Sequence, residues 1–331
     1  MRENIYTDLA VELHELIKEQ KGQIKEEYEI DGVALSVAKP WDNIEVTTVD
    51  VLTEKGAEEI GKKIGSYITI ESQTMRENDV DAHEKIIEIV AKQLRGLYKL
   101  KENDKVLIVG LGNWQVTPDA LGPKVVGKVL VTQHIPEDFL PLDTHTLRPV
   151  SAIAPGVMGL TGIETAEIIK GIVERTKPDM IIAIDAMASR STSRINTTIQ
   201  MSNTGVAPGG GMGNKRMHIN EDTMGVPVVA IGVPTVVDAA TLINDSMDAM
   251  MVDMMSHVEQ GSDFYKMLDE LGSENRYPVI KELLDPCGGN MFVTPKEVDA
   301  VVEWLSNIIA NGINISLHKG ITMDDVNRYI Y

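Results

Sequence analysis

Hydrophobic and polar residues alternate along this chain at two clear periods. Over residues 7–21, Leu9, Leu13, Leu16 and Ile17 recur at helical spacing behind Thr7 or Asp8, either of which can cap a helix start. The run is acidic and terminal, which suits a detachable arm. Residues 44–52 (Ile-Glu-Val-Thr-Thr-Val-Asp-Val-Leu) alternate as a strand does. A helix over 54–65, a strand over 67–71 and a helix over 80–97 follow. Residues 105–112 (Lys-Val-Leu-Ile-Val-Gly-Leu-Gly) are a continuous apolar run that ends in glycines, as a buried parallel strand ends. Helices are expected over 119–131 and 161–175. A second buried strand covers 180–185, a polar-alternating strand 195–201 and a third buried strand 226–233. Residues 236–258 read as a helix whose Met247, Met250, Met251, Met254 and Met255 suit core or subunit contact. Helices over 295–311 and 322–330, the latter capped by Thr322, close the chain.

Strands that alternate with helices predict an α/β fold, a mostly parallel twisted sheet with helices on both faces. The glycine-rich stretch 203–218 reads as a loop rather than a linker, because apolar core segments flank it on both sides.

Composition narrows the function. The chain has 331 residues, and a net charge of −19 opposes any general affinity for phosphate backbones. Nucleic acid is therefore not an expected direct partner. Aromatic residues make up only 4%, too few for a base-stacking platform. One cysteine, Cys287, excludes an internal disulfide and any cysteine-rich zinc site. The apolar runs 149–163 and 223–237 carry Gly and Pro and are too short to span a bilayer. No signal-like segment opens the sequence, so a reducing cytoplasm is the expected compartment.

Ligands on such sheets bind beyond the carboxyl ends of the strands. Two carboxylates are expected there. Asp185 follows the apolar run 181–184, and Asp119 lies seven residues past Gly112 in a loop that enters a helix. An acid at the end of an apolar strand is costly to bury unless paired or used. If the two meet, they can share a proton and activate a water. Each also has a simpler reading, as a helix-start or capping acid. His134, His145 and His218 could add a nitrogen ligand for a metal, but their separations form no ligand motif. No cofactor is expected. There is no His-Glu-x-x-His and no Gly-x-Ser-x-Gly. Gly122-Pro-Lys-Val-Val-Gly-Lys128 misses a phosphate loop, because Val129 stands where Ser or Thr would hold magnesium.

The longer motifs resemble a known family. Val109-Gly-Leu-Gly-Asn113, Thr117-Pro-Asp-Ala-Leu-Gly-Pro123, Arg148-Pro-Val-Ser-Ala-Ile-Ala-Pro-Gly-Val-Met158, Ile184-Asp-Ala-Met-Ala-Ser189 and Pro208-Gly-Gly-Gly-Met-Gly-Asn-Lys-Arg216 are similar to those of the germination proteases of endospore-forming bacteria. The resemblance runs from about Thr7 to the last helix. It implies an endopeptidase of the forespore and spore core that begins digestion of small acid-soluble spore proteins. It implies a homotetramer, made as a self-processing zymogen, with a fold like that of the hydrogenase-maturation proteases. On the family's motifs the functional acids fall at Asp119 and Asp185.

Tyr6-Thr-Asp-Leu-Ala-Val-Glu12 resembles the family's own cleavage sequence, which places self-cleavage between Asp8 and Leu9. Residues 1–8 would then be a propeptide and 9–331 a single α/β peptidase domain. A site that accepts an acidic residue needs a positive partner, for which Arg190, Arg194, Lys215 and Arg216 are the candidates. A metal-dependent hydrolase using the same acids is the alternative, and a non-catalytic binder of spore proteins is a third reading.

Overall fold

The three continuous apolar runs of the sequence lie side by side in one sheet. The structure is a computed structural model and describes residues 7–22, 30–135, 147–207, 217–258, 261–265, 276–284 and 291–325. Among them, the sheet contains β1 (Val33–Trp41), β2 (Ile44–Val51), β3 (Gly65–Glu71), β4 (Val106–Gly110), β5 (Val150–Ile153), β6 (Met180–Ser189), β7 (Thr198–Ser202), β8 (Val228–Asp238) and β9 (Phe292–Val293). Its order is β1-β2-β3-β7-β8-β6-β4-β5, with β9 paired to β8. Strands β5, β4, β6 and β8 are parallel. From β8 out through β7, β3, β2 and β1 every pairing is antiparallel. The α/β class stands, and the sheet is mixed, with parallel pairing confined to the half that carries the buried runs.

Helices are α1 (Ala10–Gly22), α2 (Glu54–Ile60), α3 (Val80–Leu97), α4 (Leu121–Val126), α5 (Met158–Thr161), α6 (Thr165–Thr176), α7 (Glu221–Met224), α8 (Ala239–Ser256), α9 (Arg276–Leu284) and α10 (Val298–Leu317). Both faces of the parallel half are covered. Ile182 and Ile184 of β6 join Ile108, Ile231 and the α3 and α10 side chains, including Val90, Leu305 and Ile309, in the larger core. Ile181 and Ala183 point the other way, onto Ala166, Ile169 and Val173 of α6. Double-sided burial is why these strands are continuous apolar runs.

Three differences from the sequence reading matter. First, the N-terminal helix starts at Ala10, so Asp8 and Leu9 precede it. Ala10, Leu13 and Ile17 still form its inner face, packed on Val49, Val51, Ile60 and Tyr67. Second, β6 does not stop at Asp185. It continues to Ser189, because β8 pairs with it as far as Ser189↔Val237. Third, β1 is exposed along almost its whole length. It buries no alternating face that a pattern could reveal, and its hairpin turn, Asp42-Asn43, was the available signal. The methionine stripe of α8 is largely not core: Met247 packs near Tyr277 and Ile280 of α9, while Met250 and Met254 are exposed. Among the described residues no helix is long and apolar enough to cross a membrane.

Candidate active site

The ladder between β4 and β6 ends at Gly110↔Ile184, and the Leu111 N–H makes one more bond, to the Ile184 carbonyl at 2.7 Å. Asp185 is the first β6 residue past that ladder. It is only 7% exposed, and its Oδ1 accepts from the Ala186 N–H at 3.0 Å. Loss of the neighbouring strand β4 leaves this buried carboxylate at the carboxyl edge of the parallel sheet, where ligands bind.

The chain leaving β4 folds back over the same edge. Gly112 has φ +111°, and a Cβ there would meet the Asp119 carbonyl oxygen at 2.0 Å, so only glycine fits the reversal. Asp119 ends a short turn, Thr117–Asp119, that packs against β6 and β8. Its Oδ2 accepts from the Asn113 N–H at 2.7 Å, and Thr235 of β8 donates to the Pro118 carbonyl at 2.7 Å. Asp119, in the turn Thr117–Asp119 beyond β4, and Asp185, on β6 just past its pairing with β4, are each tied to backbone.

A cavity of about 290 Å³ lies against Asp185, and Asp8, Lys62, Gln200, Thr204 and His218 also line it. The N-terminal segment runs into this cavity. Asp8 donates its N–H to the Ala188 carbonyl at 3.1 Å and accepts from the Ala188 N–H on Oδ2 at 2.9 Å. The Asp8 carbonyl accepts from Lys62 Nζ at 2.9 Å and from Gln200 Nε2 at 3.2 Å. Gln200 Oε1 in turn accepts from the Ala10 N–H at 2.7 Å. Leu9, fully buried, sits between these two contacts. Gln200 pairs with Gly232 of β8, and the space over Gly232 is taken by Met187 of β6, whose Sδ a Cβ there would meet at 2.1 Å.

The helix that follows is anchored by Glu12, which is 2% exposed. Its carboxylate accepts from the N–H groups of Arg190 at 2.8 Å and Ser191 at 3.0 Å, and the Thr7 hydroxyl donates to it as well. Arg194 lies 3.6 Å from it and makes closer bonds to Glu15 at 2.6 Å and Glu71 at 2.7 Å. Burial works against the Arg194 charge, but its bonds to Glu15 and Glu71 more than offset this and raise its pKa. Burial lowers the Lys62 ammonium below the usual lysine range, with the Asp8 carboxylate opposing.

The structure thus brings Asp8 and Asp185 to one cavity, with Leu9 next to Asp8 and Asp119 in the turn that packs against β6 and β8. Arg190 is bonded through Nε to Asp245 at 3.2 Å, and Arg194 serves the Glu12–Glu15–Glu71 cluster, while the Asp8 carboxylate accepts from the Ala188 N–H. Lys215, Arg216 and Cys287, with His145, fall outside the described residues, and His134 is exposed. Among the described residues no three of His, Cys, Asp and Glu gather as a metal ion requires. The sequence reading missed Lys62 and Gln200. Gln200 had a signal, a long polar side chain in the middle of a buried strand; Lys62, at a polar helix end, had none.

The sequence profile of the germination protease family matches residues 10–268 and 252–330. A germination protease of Clostridium perfringens is 47% identical over 327 residues, covering 99% of both chains. One from Caldanaerobacter subterraneus is 45% identical over 328 residues, covering 99% of this chain and 98% of its own. One from Bacillus velezensis is 42% identical over 362 residues, covering 98% of this chain and 96% of its own. Among solved structures, a [NiFe] hydrogenase maturation protease, HycI, of Thermococcus kodakarensis aligns with a TM-score of 0.33 at 15% identity, over 67% of this chain and 98% of its own.

Proposed function

Since the chain belongs to the germination protease family, we propose that it is a self-processing endopeptidase that cuts after an acidic residue, using Asp119 and Asp185 as its reacting carboxylates. The observation that carries this reading is Asp8. The residue before the proposed cut lies in the cavity that Asp185 lines, with its carboxylate on the Ala188 N–H and its carbonyl held by two donors.

The chemistry needs one acid and one base. One carboxylate of the pair takes a proton from water, whose oxygen attacks the Asp8 carbonyl carbon. The other, protonated, polarises the carbonyl and later gives its proton to the departing Leu9 nitrogen. Carboxylates within reach of one another share a proton readily, because ionising both is costly. The pair titrates as a unit, so neither is assigned alone as the base.

Residues 1–8 are then a propeptide, and 9–331 the mature peptidase, working as a homotetramer. Its substrates are small acid-soluble spore proteins in the forespore and spore core. The contacts of residues 8–12 support a preference for an acid, a large apolar residue, alanine and a second acid three positions beyond the apolar one. A direct test is a peptide carrying Asp-Leu-Ala-Val-Glu incubated with the processed protein. Cleavage between Asp and Leu is expected, and cleavage elsewhere or none would overturn the reading. Chelator treatment separates a metal-dependent hydrolase, which would lose activity, from the carboxylate mechanism, which would keep it.

A further inference from the structure

The Asp8 carbonyl is held by two side chains from separate elements. Lys62 follows the end of α2, where its N–H bonds to the Ala57 carbonyl at 3.2 Å, and sends its ammonium into the cavity. Gln200 comes from the middle of β7 and is 3% exposed. Its amide grips both sides of Leu9, donating to the carbonyl before it and accepting from the N–H after it. That double contact fixes which end of the amide faces the carbonyl. The Lys62 ammonium, half-buried and under the influence of the Asp8 carboxylate, is 2.9 Å from a main-chain oxygen of the bond proposed to break.

We propose that Lys62 and Gln200 are catalytic residues that bind and polarise the carbonyl of the bond being cut, in the chain's own N-terminal segment and afterwards in substrate. The inference rests on the reading that Asp8–Leu9 is the self-processing bond. As water adds to the carbonyl carbon, the C=O π electrons move onto oxygen. The ammonium and the amide N–H face the charge that develops there. The C–N bond then breaks as Leu9 nitrogen takes a proton, and the carbonyl reforms as a carboxylic acid. Donors already in place are worth most at this step, since they need not reorganise as the charge forms. The acid that opposes the loss of charge on Lys62 is Asp8 itself, the residue that leaves. In trans, the acidic residue before the cut in a substrate would replace it.

The test uses the full chain and follows release of residues 1–8 by intact mass. Lys62→Met should slow release by about 10²–10³-fold, with the cut still at Asp8–Leu9 and circular dichroism unchanged. Gln200→Leu should slow it by about 10-fold or more, and Lys62→Arg should recover part of the rate, because a cation is retained. Release from Lys62→Met at or above the wild-type rate would overturn the proposal, since the lysine would then be a restraint on processing. If Lys62→Met does not fold, Gln200→Leu decides: an unchanged rate overturns the shared role. A wild-type chain that releases no fragment ending at Asp8 removes the functional reading, and this inference with it. Wild-type release with unaltered variants removes only the inference.

Discussion

Asp8 pairs with Ala188 as one residue of a strand pairs with another, except that a side-chain oxygen takes the place of a backbone carbonyl. Its N–H donates to the Ala188 carbonyl at 3.1 Å, and its Oδ2 accepts from the Ala188 N–H at 2.9 Å. The bulged end of β6, past the register shift between Met187 and Ala188, is therefore what reads an acidic residue here. Asp8→Lys replaces the acceptor with a cation beside Lys62. Processing should stop, while circular dichroism and oligomeric state, read by light scattering, stay as in the wild type.

Asp119→Asn and Asp185→Asn keep shape and most hydrogen bonding while removing the charge. Each should fold and yet lose about 10²–10⁴-fold in both self-processing and peptide turnover. Peptide cleavage followed by chromatography checks this, and wild-type turnover in either variant would exclude the pair.

Glu12 is the anchor of the N-terminal helix. Hydrogen bonds to a charged partner contribute about 1.5–3 kcal/mol each, and Glu12 accepts two from the backbone of residues 190 and 191. Glu12→Gln should loosen the helix, raise amide exchange over residues 8–17 and slow processing without moving the cut. Hydrogen exchange read by mass spectrometry tests it.

His318 gives a pH signature of stability. Burial, assisted by the charge of Arg148, pushes it down to about 4, and its Nδ1 accepts from the Arg148 N–H at 3.1 Å. The unfolded chain binds a proton at this residue below about 6.5, whereas the folded chain does not until about 4. Its contribution is therefore complete above pH 6.5 and lost as pH falls towards 4, by about 3 kcal/mol in all. His318→Gln, made in an Asp185→Asn background to prevent processing, should lose part of this slope. The stability gap between the two proteins, from denaturant midpoints, should narrow between pH 7.5 and 5.

Burial decided what the sequence could reveal. The runs at 106–110, 180–184 and 228–233 are apolar because both faces are covered, so they were legible as parallel strands. Asp119 and Asp185 stood out as acids against that background. β1 was not legible, since its side chains face solvent on nearly every position. The end of β6 was misread because Asp185 looks like a terminator, although the pairing with β8 continues past it. Lys62 and Gln200 are separated by 138 positions, and only the sheet order, with β7 between β3 and β8, brings them to one carbonyl. The helix at 7–21 was legible by period, but its start was not: Asp8 spends its backbone groups on Ala188, Lys62 and Gln200 rather than on a helical turn.

The bond between Asp8 and Leu9 is proposed as the chain's own substrate. Intact mass together with N-terminal sequencing, before and after incubation of the full chain at mildly acidic pH, tests it most directly. Residues 1–8 should be lost and a single new N-terminus should appear at Leu9, absent in Asp185→Asn. A new N-terminus at any other residue, or the same product from Asp185→Asn, would contradict it.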